Sequence, residues 1–219
     1  MNRPNVVPVE EWQAALDDLL VEEKAQTRAL DALAAARRRL PMVRLSADHR
    51  FVAPDGSSVG LPEVFDGRRQ LVVYHHMLEP GQEQMCGGCA SFTDNIADQT
   101  HLNHRDTRLV LMSRAPRAEI DAARERFGWT VPWYSADPSF YEEIRLAGGF
   151  RMSVFLRDGD EVFCTYYTSG RGVDRLRLDF NLLDLTPYGR QEEWEDSPVG
   201  WPQTPTMQWL HPRDEYPQD

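Results

Sequence analysis

Apolar residues recur at Val9, Trp12, Leu16, Leu19, Leu20, Leu30 and Leu33, close to the spacing of one helical face. They predict a single long helix over residues 9–40. Pro8 suits its first turn and Pro41 ends it. Glu22, Glu23, Lys24, Arg28, Arg37, Arg38 and Arg39 hold the other face. The helix is expected to pack by Trp12, Leu16 and Leu20 on its own chain; a helix that pairs two copies of the chain has the same pattern.

Beyond Met42 the pattern changes to strands. Residues 42–45 and 49–52 are short strand candidates, followed by a turn at Pro54, Asp55 and Gly56, and residues 61–65 read as a helical turn. Gln70–His75 carries an apolar run without alternation, the mark of a buried central strand, and residues 107–112 repeat it. Between them a long loop leads into a helix expected over residues 86–100. Arg117–Phe127 is amphipathic and ends at Gly128, a residue suited to a helix C-cap. Residues 153–156 and 161–167 flank Asp158 and Gly159 as a hairpin. Residues 173–185 form a last helix, stopped by Pro187.

Residues 191–219 show no periodicity, yet they hold Trp194, Trp201, Trp209 and five prolines. Three indoles are too much apolar surface to leave in water, so an ordered tail wrapped on the body is expected. The predicted organisation is a helical arm (1–41), an α/β domain with a central mixed sheet flanked by helices (42–190), and an irregular tail packed on that domain (191–219).

Composition narrows the partners. The 219 residues carry 35 acids against 24 bases, a net charge of −11. Such a chain repels phosphate backbones and anionic lipid, so neither nucleic acid nor a membrane is an expected partner. No apolar run approaches the roughly 20 residues of a membrane span. The N-terminus turns acidic at once, without the apolar core of a signal peptide, and a cytoplasmic location is expected. Gly-rich phosphate loops, serine nucleophile elbows and HExxH helices are missing, and no cofactor is expected.

Three cysteines are too few and too odd in number for a disulfide framework, but Cys86 and Cys89 stand at CxxC spacing. The local order is apolar strand, loop, Cys86-Gly87-Gly88-Cys89, helix. A cysteine at a helix N-terminus faces unpaired N–H groups and the positive end of the dipole, which favour thiolate over thiol. Cys86 is then the nucleophile, and Cys89 resolves the mixed disulfide that Cys86 forms. Gly87 and Gly88 let the backbone turn tightly and expose N–H groups. The competing readings are an inert pair packed in the core and half of a zinc site, with His75, His76, His101 or His104 as further ligands. Neighbouring strand residues point to opposite faces, so His75 and His76 do not easily converge, and no metal is assigned. His75 is a candidate proton donor near the cysteines, and His76 is expected to face solvent. Arg114 is expected in a surface salt bridge. Cys164, in mid-strand, is expected to pack as a small apolar residue.

The stretches LVVYHHMLEPGQEQMCGGCASFTDNI, LVLMSRAPRAEIDAARERFGWTVPWYS, SVFLRDGDEVFCTYYTSGRGVD and LDLTPYGR resemble the thioredoxin-like family called domain of unknown function 899. The likeness covers nearly the whole chain and implies a thioredoxin-like fold; the element order above is the thioredoxin order. Thioredoxins place a cis-proline before the strand that faces the cysteines, where this chain has Phe150, Arg151, Met152 and Ser153. The chain is also similar to peroxiredoxins, in its long strand-to-cysteine loop and in Arg151 before the hairpin. That resemblance implies an arginine that stabilises a peroxidatic Cys86. Three residues before that cysteine peroxiredoxins carry threonine or serine, and this chain has Glu83, whose carboxylate repels a thiolate.

The expected function is that of a thiol–disulfide oxidoreductase acting on a protein or small-molecule disulfide or thiol. The alternatives are a thiol peroxidase with Cys86 peroxidatic, Cys89 resolving and Arg151 assisting, or a thioredoxin-fold binding protein with an inert or metal-holding pair. A homodimer remains open.

Overall fold

The structure is a computed structural model that describes residues 3–217. The chain forms two compact units. One takes in the chain up to Pro41 together with Ser197–Trp201; the other holds Met42–Asp196 and the chain from Pro202 onward.

The first unit is built on helix α1 (Val9–Arg37), about 43 Å long at 1.5 Å per residue. It has no buried residue, and Trp12 is 54% exposed. The burial expected for Trp12, Leu16 and Leu20 is not found. The apolar positions do not keep to one stripe: Leu19, Leu20 and Val21 are consecutive and sweep across half the circumference at 3.6 residues per turn. No described helix is long and apolar enough to cross a membrane.

The second unit is an eight-stranded mixed sheet. Its strands are β1 (Val43–Arg44), β2 (Arg50–Val52), β3 (Ser58–Gly60), β4 (Gln70–His75), β5 (Thr107–Ser113), β6 (Trp133–Ala136), β7 (Arg151–Asp158) and β8 (Glu161–Thr168). They lie in the order β1-β8-β7-β4-β5-β6-β2-β3. At the centre β4 runs parallel to β5 and antiparallel to β7, and β7 and β8 form the expected hairpin. Helix α3 (Gly87–Asp94) follows β4, and α5 (Arg117–Phe127) links β5 to β6. The four strands β8-β7-β4-β5 with these crossovers make a thioredoxin-like fold; β6, β2 and β3 extend it on one side.

Strand alternation divides the core between the two faces. Leu71, Val73, Val110, Tyr134 and Phe155 pack on one face with Phe51 of β2, Phe65 at the end of the short helix α2 (Leu61–Val64) and Phe140 of the short helix α6 (Pro138–Glu143). Tyr74, Leu111, Trp133 and Met152 pack on the other with Phe92 of α3 and Ile120 and Phe127 of α5. Trp133 and Phe140 are both fully buried core residues.

Two expected helices are shorter than read. The segment after Cys86 breaks at Asn95 and resumes only as α4 (Thr100–Asn103). Asn95 turns its side-chain amide onto the Ser91 carbonyl at 2.8 Å, and Asp98 takes the Thr100 N–H at 2.8 Å. Short polar side chains here compete for the backbone bonds that a continuing helix needs. The last helix is a 3-10 turn (Gly170–Leu176) followed by α7 (Leu178–Leu183). Arg177 separates them with an extended backbone, φ −100° and ψ 121°. Strands β3 and β6 and helix α6 have too few residues for a periodic signal.

Candidate active site

Strand β4 delivers the chain to the cysteines, and α3 begins on them. Cys86 is the N-cap of α3, with extended backbone (φ −65°, ψ 115°). Its Sγ accepts the Cys89 N–H at 3.4 Å, which satisfies one of the free donors of the first turn. Cys86 is half-buried and Cys89 is buried, and both are free thiols.

The pair is electrostatically asymmetric. The Cys86 thiol is pulled down to about 6. The largest cause is the hydrogen bond from the Cys89 thiol; the N–H groups of Cys89 and Gly88 and the Arg177 guanidinium add to it, against the effect of burial. Cys89 is pushed well above the ordinary thiol range, first because its proton serves Cys86 and then by burial. Tyr74 lies beneath. Its hydroxyl donates to Cys89 Sγ at 3.4 Å, and its ring stacks on Phe92 with centroids 3.9 Å apart. Burial, and after it the neighbouring Cys89, keep this hydroxyl protonated well past the usual tyrosine range.

A cavity of about 360 Å³ opens beside Cys86. Its walls are mostly apolar, from Met77, Phe92, Phe150, Val173, Met207 and Leu210. Arg177 and Asp174 are the charged residues along it, and each has a counterion. Arg177 Nη2 meets Asp179 at 2.6 Å and Ser91 Oγ at 2.5 Å, while Asp174 accepts from Arg190 at 2.9 Å.

The two glycines have different surroundings. A Cβ on Gly87 falls 2.2 Å from the Leu210 carbonyl oxygen, so the tail backbone lies directly against this residue. A Cβ on Gly88 meets only Met207 Cε at 3.7 Å and Cys86 Sγ at 3.9 Å.

The structure does not bring His75 and Arg151 to the cysteines. Both share the sheet face of Val73 and Phe155, opposite Tyr74 and Met152. There His75 Nε2 pairs with Ser153 Oγ at 3.0 Å, and Arg151 Nε donates to the same oxygen at 3.1 Å. Burial, then the charges of Arg151 and Arg114, press His75 down to about 3. Glu83 is exposed in the loop before the pair and lines no part of the cavity. His76, expected in solvent, is buried against Trp133 with ring centroids 4.6 Å apart, and burial lowers it to about 3. Arg114 bonds Glu79 at 2.8 Å, and Cys164 packs half-buried against the core of the far face. Among the described residues no three His, Cys, Asp or Glu side chains gather as metal ligands.

Sequence reasoning missed Tyr74, Arg177, Met207 and Leu210. The alternation of β4 carries the first: once His75 and Tyr74 are assigned opposite faces, the aromatic one belongs with the apolar start of α3. Nothing local marks the other three.

Among solved structures the chain is similar to peroxiredoxin Q of Xanthomonas campestris, at 15% identity over 66% of this chain and 96% of that one, with a TM-score of 0.44. It is similar to the reduced 2-Cys peroxiredoxin of Plasmodium vivax, at 16% identity over 66% and 93%, with a TM-score of 0.44. A Bacteroides thetaiotaomicron protein described as a candidate disulfide isomerase gives 20% identity over 65% and 91%, with a TM-score of 0.40. No curated protein matches the chain. The family description that does match covers residues 1–216, so the chain belongs to the family described as bacterial protein of unknown function, DUF899.

Proposed function

We propose that the protein is a thiol–disulfide oxidoreductase with Cys86 as nucleophile and Cys89 as resolving thiol. The observation that carries this reading is the asymmetry of the pair: one half-buried thiol lowered to about 6 at a helix N-cap, and one buried thiol raised beside a tyrosine hydroxyl. At neutral pH Cys86 is a thiolate open to a cavity, and Cys89 keeps its proton.

Cys86 Sγ attacks one sulfur of a disulfide, and the S–S bond breaks with loss of the first thiolate. Cys89 then passes its proton to that departing thiolate and attacks Cys86 Sγ, which expels the second. The balance is protein dithiol plus disulfide to protein disulfide plus two thiols. The Tyr74 hydroxyl, aimed at Cys89 Sγ, stabilises the charge that Cys89 gains as it resolves. The peroxidase alternative loses its main support, because Arg151 lies on the far face of the sheet; Glu83, exposed and away from the cavity, counts neither for it nor against it.

Thiol counting tests the proposal. Reduced protein treated with a small disulfide is expected to lose two of its three thiols per chain, with Cys164 still titratable, and to regain both on reduction. Loss of one thiol only, or of none, contradicts it.

A further inference from the structure

The C-terminal tail crosses the cysteine pair, and one buried carboxylate holds it there. Glu192 is 1% exposed. Its Oε1 accepts the Met207 N–H at 2.8 Å and the Trp209 indole N–H at 2.7 Å, and its Oε2 accepts the Trp194 indole at 2.5 Å. The backbone adds to this hub: Thr204 N–H donates to Gln191 at 2.7 Å, and Glu193 N–H to Thr204 at 3.0 Å. Met207 takes a left-handed backbone, φ 64°, and Leu210 N–H bonds back to its carbonyl. Past the crossing, Arg213 bonds Asp94 at 2.9 Å and Asp214 bonds Arg126 at 2.7 Å. The segment is thus anchored on both sides of the place where Leu210 rests on Gly87.

We propose that this tail is a specificity wall, and that it restricts the pair to small, uncharged, apolar disulfides. The inference rests on the disulfide-exchange reading and goes further by naming the substrate class. Three observations carry it. The cavity's 360 Å³ lies at the low end of the roughly 300–1,000 Å³ of small-molecule sites. Its apolar walls reward burial of alkyl or aryl groups. The two charges along it, Asp174 and Arg177, already face Arg190 and Asp179, so they offer no free ion to a charged substrate such as glutathione disulfide. A disulfide within a protein reaches Cys86 only if the tail lifts, which breaks the bonds at Glu192.

The test uses full-length reduced protein and follows thiol loss with diethyl, dipropyl and dibutyl disulfide, glutathione disulfide and insulin. Burial of each added methylene raises the second-order rate constant about fourfold until the cavity is full. Glutathione disulfide and insulin are expected to react at least about 100-fold more slowly than dibutyl disulfide, the loss of more than three such methylene increments. Met207→Asn, a residue that accepts the left-handed backbone, is expected to narrow the dibutyl-to-glutathione ratio about tenfold or more. Glu192→Gln is expected to raise the rate with insulin. Should either variant fail to fold, the wild-type series alone decides. Equal rates with dibutyl disulfide and insulin, or with dibutyl and glutathione disulfide, overturn the wall and leave the exchange reading intact. No reaction with any of the five, while the thiols remain titratable, overturns the exchange reading itself.

Discussion

The Tyr74 hydroxyl donates to Cys89 Sγ at 3.4 Å, and neighbouring residues on one strand thereby divide their work: Tyr74 serves the cysteine pair while His75 is locked to Ser153 on the other side of the sheet. A hydrogen bond to a charged group is worth about 1.5–3 kcal/mol. Tyr74→Phe removes a donor that matters only once Cys89 carries charge. The variant is expected to release the second thiol about 10–100-fold more slowly, with the first release unchanged. Stopped-flow measurement of the two phases checks this; an equal slowing of both assigns Tyr74 to packing alone.

The pH dependence of alkylation follows from the lowered Cys86. Thiolate is the reactive form, so the rate with iodoacetamide is expected to rise through pH 6 and to be flat by pH 8. An ordinary thiol, near pKa 8.5, is still climbing there at about pH 8. Arg177→Gln removes a cation that favours the thiolate and shifts the midpoint upward. Arg151→Met, on the far face, leaves the midpoint where it is. A shift on Arg151→Met and none on Arg177→Gln reverses the assignment of the two arginines.

Stability falls in acid through the two buried histidines. His75 and His76 are held neutral in the fold, down to about 3, whereas an unfolded histidine binds its proton near pH 6.5. The folded pKa is depressed, so the contribution is complete above about pH 6.5 and is lost as pH falls toward 3. By pH 5 each histidine removes about 2 kcal/mol. Thermal unfolding from pH 7 to 5 is expected to show this fall, and His76→Gln to reduce its slope. A melting temperature independent of pH over that range contradicts the buried neutral pair.

Gly87 and Gly88 are adjacent and predicted to behave differently. Gly87→Ala drives a methyl into the Leu210 carbonyl and is expected to cost about 1–3 kcal/mol, or to free the tail to protease. Gly88→Ala meets only ordinary contacts and is expected to change stability by less than about 0.5 kcal/mol. Denaturant unfolding and limited proteolysis of both variants provide the measurement.

Much of this arrangement was legible in the sequence, for local reasons. The apolar run of Gln70–His75, the cysteine spacing, and Arg117–Phe127 with its Gly128 cap each carry their signal within a dozen residues, and all three stand where they were read. Gly128 has the left-handed backbone that its place after the helix requires, φ 62°. What escaped depends on tertiary distance. Arg177 reaches Ser91 across 86 positions, and the Leu210 carbonyl meets Gly87 across more than a hundred. No spacing rule links such residues. Arg151 and His75 were misjudged for a different reason. Arg151 is placed near the cysteines by likeness to peroxiredoxins and His75 by its position at the end of the strand that leads to them, whereas the alternation of β4 and β7, read strictly, sends both away from Tyr74 and Met152.

Trapping of the mixed disulfide separates the roles of the two cysteines. Reduced Cys86→Ser and Cys89→Ser proteins are mixed with dibutyl disulfide and weighed intact by mass spectrometry. Cys89→Ser is predicted to gain one butylthio group, mapped to Cys86, and to hold it, because no thiol is left to resolve it. Cys86→Ser is predicted to stay unmodified on the same timescale, with Cys89 buried and protonated. Rapid modification of Cys89 in Cys86→Ser, or none of Cys86 in Cys89→Ser, contradicts the account.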